Sequence, residues 1–300
     1  MKHIPVLLDE VIDNLELKPD SNVVDCTLGD AGHSEKILDG ITDGKLLGID
    51  VDVEAVLRAK QYLYNFEDKA IFVRDNFANL KSIVEEKDFK PDGILIDLGW
   101  STPQFKERGR GFSFEGNEPL DMRFEEGNVD LQTASELLNN LSEKELEKVF
   151  REFGEEKFSQ AIAQKIVEKR NESELETTSE LVEIVLSVYR EKLKTEKEVP
   201  WTRGKHPATK VFQALRIAVN KELEVLKTVL PDAIEVLEPG GRLVVISFHS
   251  LEDRIVKHFF QNINNKEGIM ITKKPITASS DELKQNPSAR SAKLRVFQKL

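Results

Sequence analysis

The chain of 300 residues holds one cysteine, Cys26, which excludes an internal disulfide and any cysteine-based zinc cluster. No uninterrupted apolar run approaches the roughly 20 residues that a membrane helix needs. The opening Met1-Lys2-His3-Ile4-Pro5 soon meets Asp9 and Glu10, so no signal-peptide core is read there. The five histidines show no metal-ligand spacing, and no catalytic metal is expected. Internal repeats and low-complexity stretches are also missing. What remains reads as a cytoplasmic, globular chain, with length for two domains or for one domain carrying a large insertion. Cys26 reads as a buried thiol.

Positive charge is scarce overall. The net charge of −11 at first argues against a polyanionic partner. The distribution matters more than the sum. From Lys266 to Leu300, eight Lys and Arg face three Asp and Glu, which leaves −16 on the rest of the chain. An acidic body with a basic end permits binding of a polyanion at one face. A solvated basic tail is the plainer alternative.

Short apolar runs alternate with helix-like stretches in the first third. The runs are Val23-Val24-Asp25-Cys26, Lys45–Asp50, Ala70–Val73 and Gly93–Asp97. Between them lie segments such as Glu54–Tyr64, with Ala55, Val56, Ala59 and Leu63 at helical spacing. That alternation predicts an α/β fold, a doubly wound parallel sheet covered on both faces. Residues 130–198 read as almost pure helix, with Ser142 and Glu145 fitting a capping box and Thr178 or Ser179 capping a later helix. From 113 to 204 the count is 22 Asp and Glu against 13 Lys and Arg, the acidity of a solvated helical block. Strand character returns at Gly241–Ser247, a helix follows over Ile255–Ile263, and Ser291–Phe297 reads as a last strand. The expected layout is a core from 1–112 and 205–300, with an inserted helical domain at 113–204.

The most informative stretch is Val23-Val24-Asp25-Cys26-Thr27-Leu28-Gly29-Asp30-Ala31-Gly32-His33-Ser34. An apolar strand runs into a loop of small residues and then a helix. Ligands of open α/β sheets bind beyond the carboxyl ends of the strands. Asp50 ends the next strand, 21 residues after Gly29, where a carboxylate can accept from a ribose diol. The G-x-G-x-x-G of a dinucleotide site is absent, which disfavours a nicotinamide-dependent dehydrogenase. Asp25 and Asp30 would repel phosphates, and the cationic sulfonium of S-adenosyl-L-methionine fits them better. On this loop alone, that reading stands level with an ordinary strand–turn–helix. Phe77, after the third strand, could line an adenine pocket or be plain core. Asp97 ends the fourth strand at the crevice, where packing does not explain a carboxylate.

Several segments together resemble one family. They are His3-x-Pro5-Val6-Leu7-Leu8, the Asp25–Ser34 loop, Asp97-Leu98-Gly99 with Pro103-Gln104, and Arg110-Gly111-Phe112-Ser113-Phe114. Pro119–Arg123, His206–Thr209, Phe212–Arg216, Ser247-Phe248-His249-Ser250-Leu251-Glu252-Asp253-Arg254 and Ser291–Arg295 complete the set. In order and over nearly the whole chain, they resemble the bacterial 16S rRNA cytosine-N4 methyltransferases of the MraW/RsmH type. The resemblance implies a class I S-adenosylmethionine-dependent methyltransferase with an inserted helical domain. It implies methylation of N4 of a cytidine in the decoding region of 16S rRNA, on the small ribosomal subunit, and it suggests a homodimer. It implies cofactor contacts at Ala31, Gly32, His33, Asp50, Phe77, Asp97 and Gln104. The chain departs from the family pattern at Ala31, where glycine is usual, at Lys210 and Ser288, where arginine is usual, and at Trp100.

Asp97 is the candidate for the negative neighbour that a methylated amine requires. The Asn/Asp-Pro-Pro-aromatic tetrapeptide of many amino-methyltransferases is absent, and Asp97-Leu98-Gly99-Trp100 stands in its place. Asp97 could instead serve cofactor binding only. Trp100, Phe112 and Phe114 could stack on a flipped base or seal a domain junction. Arg108, Arg110, Arg123, Arg203, Lys205, Lys210 and Arg216 could meet phosphates or pair with acids. His249, beside the crevice, could bind RNA or act in proton transfer, and a structural hydrogen bond is the plainer reading. A ribosome-assembly factor that keeps the cofactor fold without turnover is the alternative function.

Overall fold

The computed structural model describes residues 4–99, 109–125, 127–195, 199 and 206–300. Its chain divides into two compact units, Met1–Ser101 with Leu223–Leu300, and Thr102–Glu222.

In the first unit, seven strands form one sheet: β1 (Val23–Asp25), β2 (Leu46–Asp50), β3 (Ala70–Arg74), β4 (Gly93–Asp97), β5 (Arg242–Ser247), β6 (Gly268–Met270) and β7 (Lys293–Lys299). The order is β3-β2-β1-β4-β5-β7-β6. β1 to β5 run parallel, and β7 lies antiparallel between β5 and β6. Period-two alternation sends neighbouring side chains to opposite faces. Val24, Leu47, Ile94, Ile96 and Val245 therefore face one core, with α4 (Leu80–Glu86), α10 (Glu222–Val236) and α11 (Ser250–Ile263) supplying Leu80, Leu226 and Phe260. Val23, Leu46, Leu95 and Val244 face the other, with α1 (Leu8–Leu15), α2 (Gly32–Gly40) and α3 (Val53–Tyr62) supplying Val11, Ile37 and Val56. Each such side chain contributes roughly 1.5–3 kcal/mol on burial. The sheet is doubly wound, as its apolar runs predict. Among the described residues, no helix is long and apolar enough to cross a membrane.

The second unit is helical: α5 (Ala134–Asn140), α6 (Glu143–Glu152), α7 (Ser159–Arg170), α8 (Thr178–Leu193) and α9 (Thr209–Asn220). Reciprocal capping boxes start three of them, at Thr133/Glu136, Ser142/Glu145 and Thr177/Glu180. The cap of α8 is Thr177, ahead of the expected Thr178 or Ser179. Leu138, Leu146, Phe150, Ile162, Ile166 and Val185 are fully buried, so this unit has a core of its own.

The unit boundaries fall at 101/102 and 222/223, where the sequence pattern placed them at 112/113 and 204/205. The difference lies in α9 and in residues 102–112, of which 109–112 are described. Asn220 donates to the Met122 carbonyl at 2.8 Å and accepts from the Phe124 amide at 2.8 Å. Arg216 grips Glu222 with two hydrogen bonds of 2.8 and 2.9 Å. The Met122 amide donates to the Arg110 carbonyl at 2.9 Å and the Gly111 amide to Glu118 at 2.8 Å, and these bonds together draw both segments into the helical unit where no local periodicity announces them.

Candidate active site

Three neighbouring strands of the first unit end in a carboxylate: β1 in Asp25, β2 in Asp50 and β4 in Asp97. The strand order reverses between β1 and β4, and it is outside the strand ends at such a point that open α/β sheets bind ligands. Asp25 and Asp97 stand on either side of that switch point.

Asp25 is a buried strut. Its Oδ2 accepts from Ser34 Oγ at 2.7 Å, and its Oδ1 accepts from the Thr27 amide at 3.1 Å. Burial raises its pKa, and Ser34, His33 and Thr27 oppose that rise. The carboxylate thereby ties the start of the loop to the first turn of α2.

Asp50 accepts from the Gly29 amide at 2.9 Å through Oδ2 and from the Asp52 amide at 2.9 Å through Oδ1. Each oxygen keeps a further lone pair. Burial, ahead of its neighbours, pushes its pKa up to about 6. Phe77 is half-buried, at the first residue of the short turn that follows β3, and packs against the core. Arg74, the last residue of β3, pairs in register with Asp50, so Phe77 lies at the same end of the sheet.

Asp97 is held from several sides. Its amide donates to Thr27 Oγ1 at 2.8 Å, and its Oδ1 accepts from the Gly99 amide at 3.1 Å. Oδ2 lies 3.7 Å from His33 Nδ1. Burial raises the Asp97 pKa to about 6 against the pull of His33. The buried His33 ring donates from Nε2 to the Val6 carbonyl at 3.0 Å, which leaves Nδ1 toward Asp97. Gly99 is glycine for a steric reason: a Cβ there would sit 2.7 Å from the Phe248 ring.

The glycine-loop candidates separate into two kinds. Ala31 has φ +60 at the start of α2, and its methyl is buried in the core cluster beside Leu28, Ile37 and Leu38. A left-handed alanine costs roughly 1–2 kcal/mol, and this methyl occupies core rather than crevice. Gly32 keeps clear of Pro5: a Cβ would meet Pro5 Cγ at 2.3 Å. The Pro5 segment and the loop therefore depend on each other. Gly29, with φ +48, has nothing closer than 3.8 Å where a Cβ would be, so the loop backbone is open there. Gln104 and Trp100 lie outside the described residues, as do Arg108, Arg203 and Lys205.

The Ser247–Arg254 block is architecture. His249 caps α11 in a reciprocal box with the buried Glu252, whose Oε2 accepts from the Phe248 and His249 amides at 2.8 and 3.1 Å. Asp253 accepts from Arg295 Nε at 2.7 Å and Lys293 Nζ at 3.0 Å. Burial raises the Asp253 pKa, but Arg295 and Lys293 outweigh it and hold the carboxyl below its ordinary value. The resemblance of 291–295 thus has a physical basis in one buried charge cluster.

Within the helical unit, the candidate base-stacking rings have partners. Phe112 stacks on Phe124 at 5.8 Å, and Phe114 stacks on His206 at 4.7 Å. Arg123 is paired with Asp121 through two 2.8 Å hydrogen bonds. Lys210 donates to the Glu155 carbonyl at 2.5 Å, a bond that one ammonium makes without a guanidinium fork. Thr27 and Ser34 carry much of the site although the sequence pattern gives neither a role; a hydroxyl two residues after a strand-end acid is the available signal for Thr27, and Ser34 offers none.

A family model described as the MraW methylase family matches residues 1–300. A ribosomal RNA small subunit methyltransferase H of Clostridium botulinum strain 657 is 46% identical over 318 aligned residues, covering 100% of this chain and 99% of that one. Another, of Heliobacterium mobile, is 44% identical with 99% of each chain covered. A solved rRNA methylase from Streptococcus thermophilus aligns with a TM-score of 0.46 at 11% identity, over 100% of this chain and 99% of that one. The seven-stranded order described above is that of class I methyltransferases, and the chain belongs to the MraW methylase family.

Proposed function

We propose that this protein methylates N4 of a cytidine in the decoding region of 16S rRNA, acting on the small ribosomal subunit in the cytoplasm. The methyl donor is S-adenosyl-L-methionine, which supplies an electrophilic methyl on a sulfonium. The donor set at the switch point suits that group. Asp25, Asp50 and Asp97 are all acids, and a pyrophosphate would be repelled where a sulfonium is favoured. Asp50 has lone pairs left for ribose hydroxyls, the open backbone at Gly29 admits close approach, and Phe77 lines the adenine side. Ala31, Gly32 and His33 act by shaping the loop.

Asp97 carries the reading. A carboxylate with a pKa of about 6 is ionised at neutral pH and basic enough to accept a proton. The amine lone pair of cytosine is delocalised into the ring, so its attack depends on being held in line with the methyl. The new N–C bond forms as the C–S bond breaks, and positive charge develops on nitrogen. Asp97 accepts from an amine hydrogen, stabilises that charge and takes the proton that leaves.

Transfer of labelled methyl to small subunits lacking the modification, with nucleoside mass spectrometry of the product, tests this directly. N4-methylcytidine at one site is expected. Cofactor binding without transfer would favour the non-catalytic assembly factor.

A further inference from the structure

Between Arg254 and Ser280 there are five Lys and Arg and a single acid, Glu267, in a chain whose net charge is −11. The register places part of this stretch beside the site. After β6 the chain continues along β7: the Ile271 amide donates to the Val296 carbonyl at 3.0 Å, and Ile276 exchanges two 2.9 Å bonds with Leu294. Five steps on this strand thus span two on β7. The excess of three residues is a bulge, at Lys273-Lys274-Pro275, on the sheet edge. Lys273 and Lys274 are exposed. Among the described residues, neither has a carboxylate partner, which they share with Lys45 and Lys90 at the opposite end of the sheet. Leu294 is in register with Ile246, and Ile246 with Asp97, so the bulge stands level with Asp97. Three strand spacings separate them, about 14 Å.

We propose that the Lys273–Lys274 bulge is a docking surface for the phosphate backbone flanking the target nucleotide. This rests on the RNA-methylating reading above. Uncompensated cations on an acidic protein, level with the reacting carboxylate, are complementary to a polyanion threading toward the crevice. The competing account is that lysines protect an exposed edge bearing Ile269 and Ile271 from strand pairing.

The test compares Lys273→Gln/Lys274→Gln with Lys45→Gln/Lys90→Gln, the same charge change at the opposite end of the sheet. Small subunits lacking the modification are the substrate, and small-subunit RNA is the binding probe. The bulge variant should raise KM for subunits about tenfold near 0.1 M salt and flatten the slope of log Kd against log salt by about 1–2. Its kcat and its affinity for S-adenosylhomocysteine should not change. Equal KM and equal salt slopes for the two variants would overturn the proposal, and a gain of dimer mass by the bulge variant would then assign the lysines to edge protection. If the wild type transfers no methyl, the reading itself fails, and the salt titration of RNA binding still judges the surface.

Discussion

Two groups of acids sit at the same end of one sheet and are treated in opposite ways. At the β1, β2 and β4 ends, Asp25, Asp50 and Asp97 are buried with hydroxyl and amide donors, and their pKa values are raised. At the β5 end, Asp253 is also buried but meets Arg295 and Lys293, and its pKa is lowered. A fold can compensate a buried carboxylate when stability is all that is required. Leaving three neighbouring carboxylates short of cations costs stability, and such sites mark places kept for a ligand or a reaction. The missing positive charge in the first group is the charge that a sulfonium and a developing ammonium would bring.

The sharpest break of this comparison is Asp97→Asn. It should lower kcat by about 10²–10⁴-fold at saturating cofactor, since Asn cannot take a proton. Recovery of kcat at high cofactor concentration would instead assign Asp97 to binding alone. The same variant should be more stable than the wild type at pH 7, and the gain should shrink at pH 5. The sign follows from the raised pKa: the folded state holds a proton that the unfolded state releases between the ordinary value of 3.8 and about 6. Asp97 therefore costs stability as pH rises through that window, by up to about 3 kcal/mol. Calorimetry of both proteins at the two pH values checks it; a constant difference would sink the account. Methyl transfer by the wild type should fall below pH about 6 as Asp97 takes up a proton.

Asp253→Asn should do the reverse. It leaves the 4% exposed Arg295 side chain without its counter-ion and should cost about 3 kcal/mol, with little change in kcat. Denaturant unfolding reads it, and a neutral result would mean that the cluster is not holding β7 to α11. Ser34→Ala is the smallest change, removing the 2.7 Å donor to Asp25. A loss of about 1–2 kcal/mol is expected, with weaker cofactor binding through the loosened loop. Calorimetric titration with S-adenosylhomocysteine measures the second effect, and an unchanged affinity would remove Asp25 from the positioning of the loop.

Six of the seven strands were legible because each is an apolar run bounded by turn residues. β6 was not: three residues opening with glycine carry no pattern, and pairing with β7 makes them a strand. α11 begins at Ser250, ahead of the expected Ile255, because the His249/Glu252 box caps it through side chains that periodicity ignores. The strand-end acids were visible as residues, and their common position followed from parallel order. That Gly32 serves Pro5 and Gly99 serves Phe248 was invisible, since both partners are distant in sequence.

The sequence by itself determined the alternation of strands and helices, the carboxylates at three strand ends, and the capping boxes of the helical unit. These are local properties, carried by period, by turn chemistry and by residues three apart. Tertiary structure decided which acids would be compensated. Asp253 gains its cations from residues 40 and 42 positions away, whereas the Asp97 carboxylate accepts from the Gly99 amide and meets no paired cation among the described residues nearer than His33, 64 positions away, at 3.7 Å. The charge state of a buried group depends on every neighbour that packing brings within a few ångströms, and packing is a property of the whole chain.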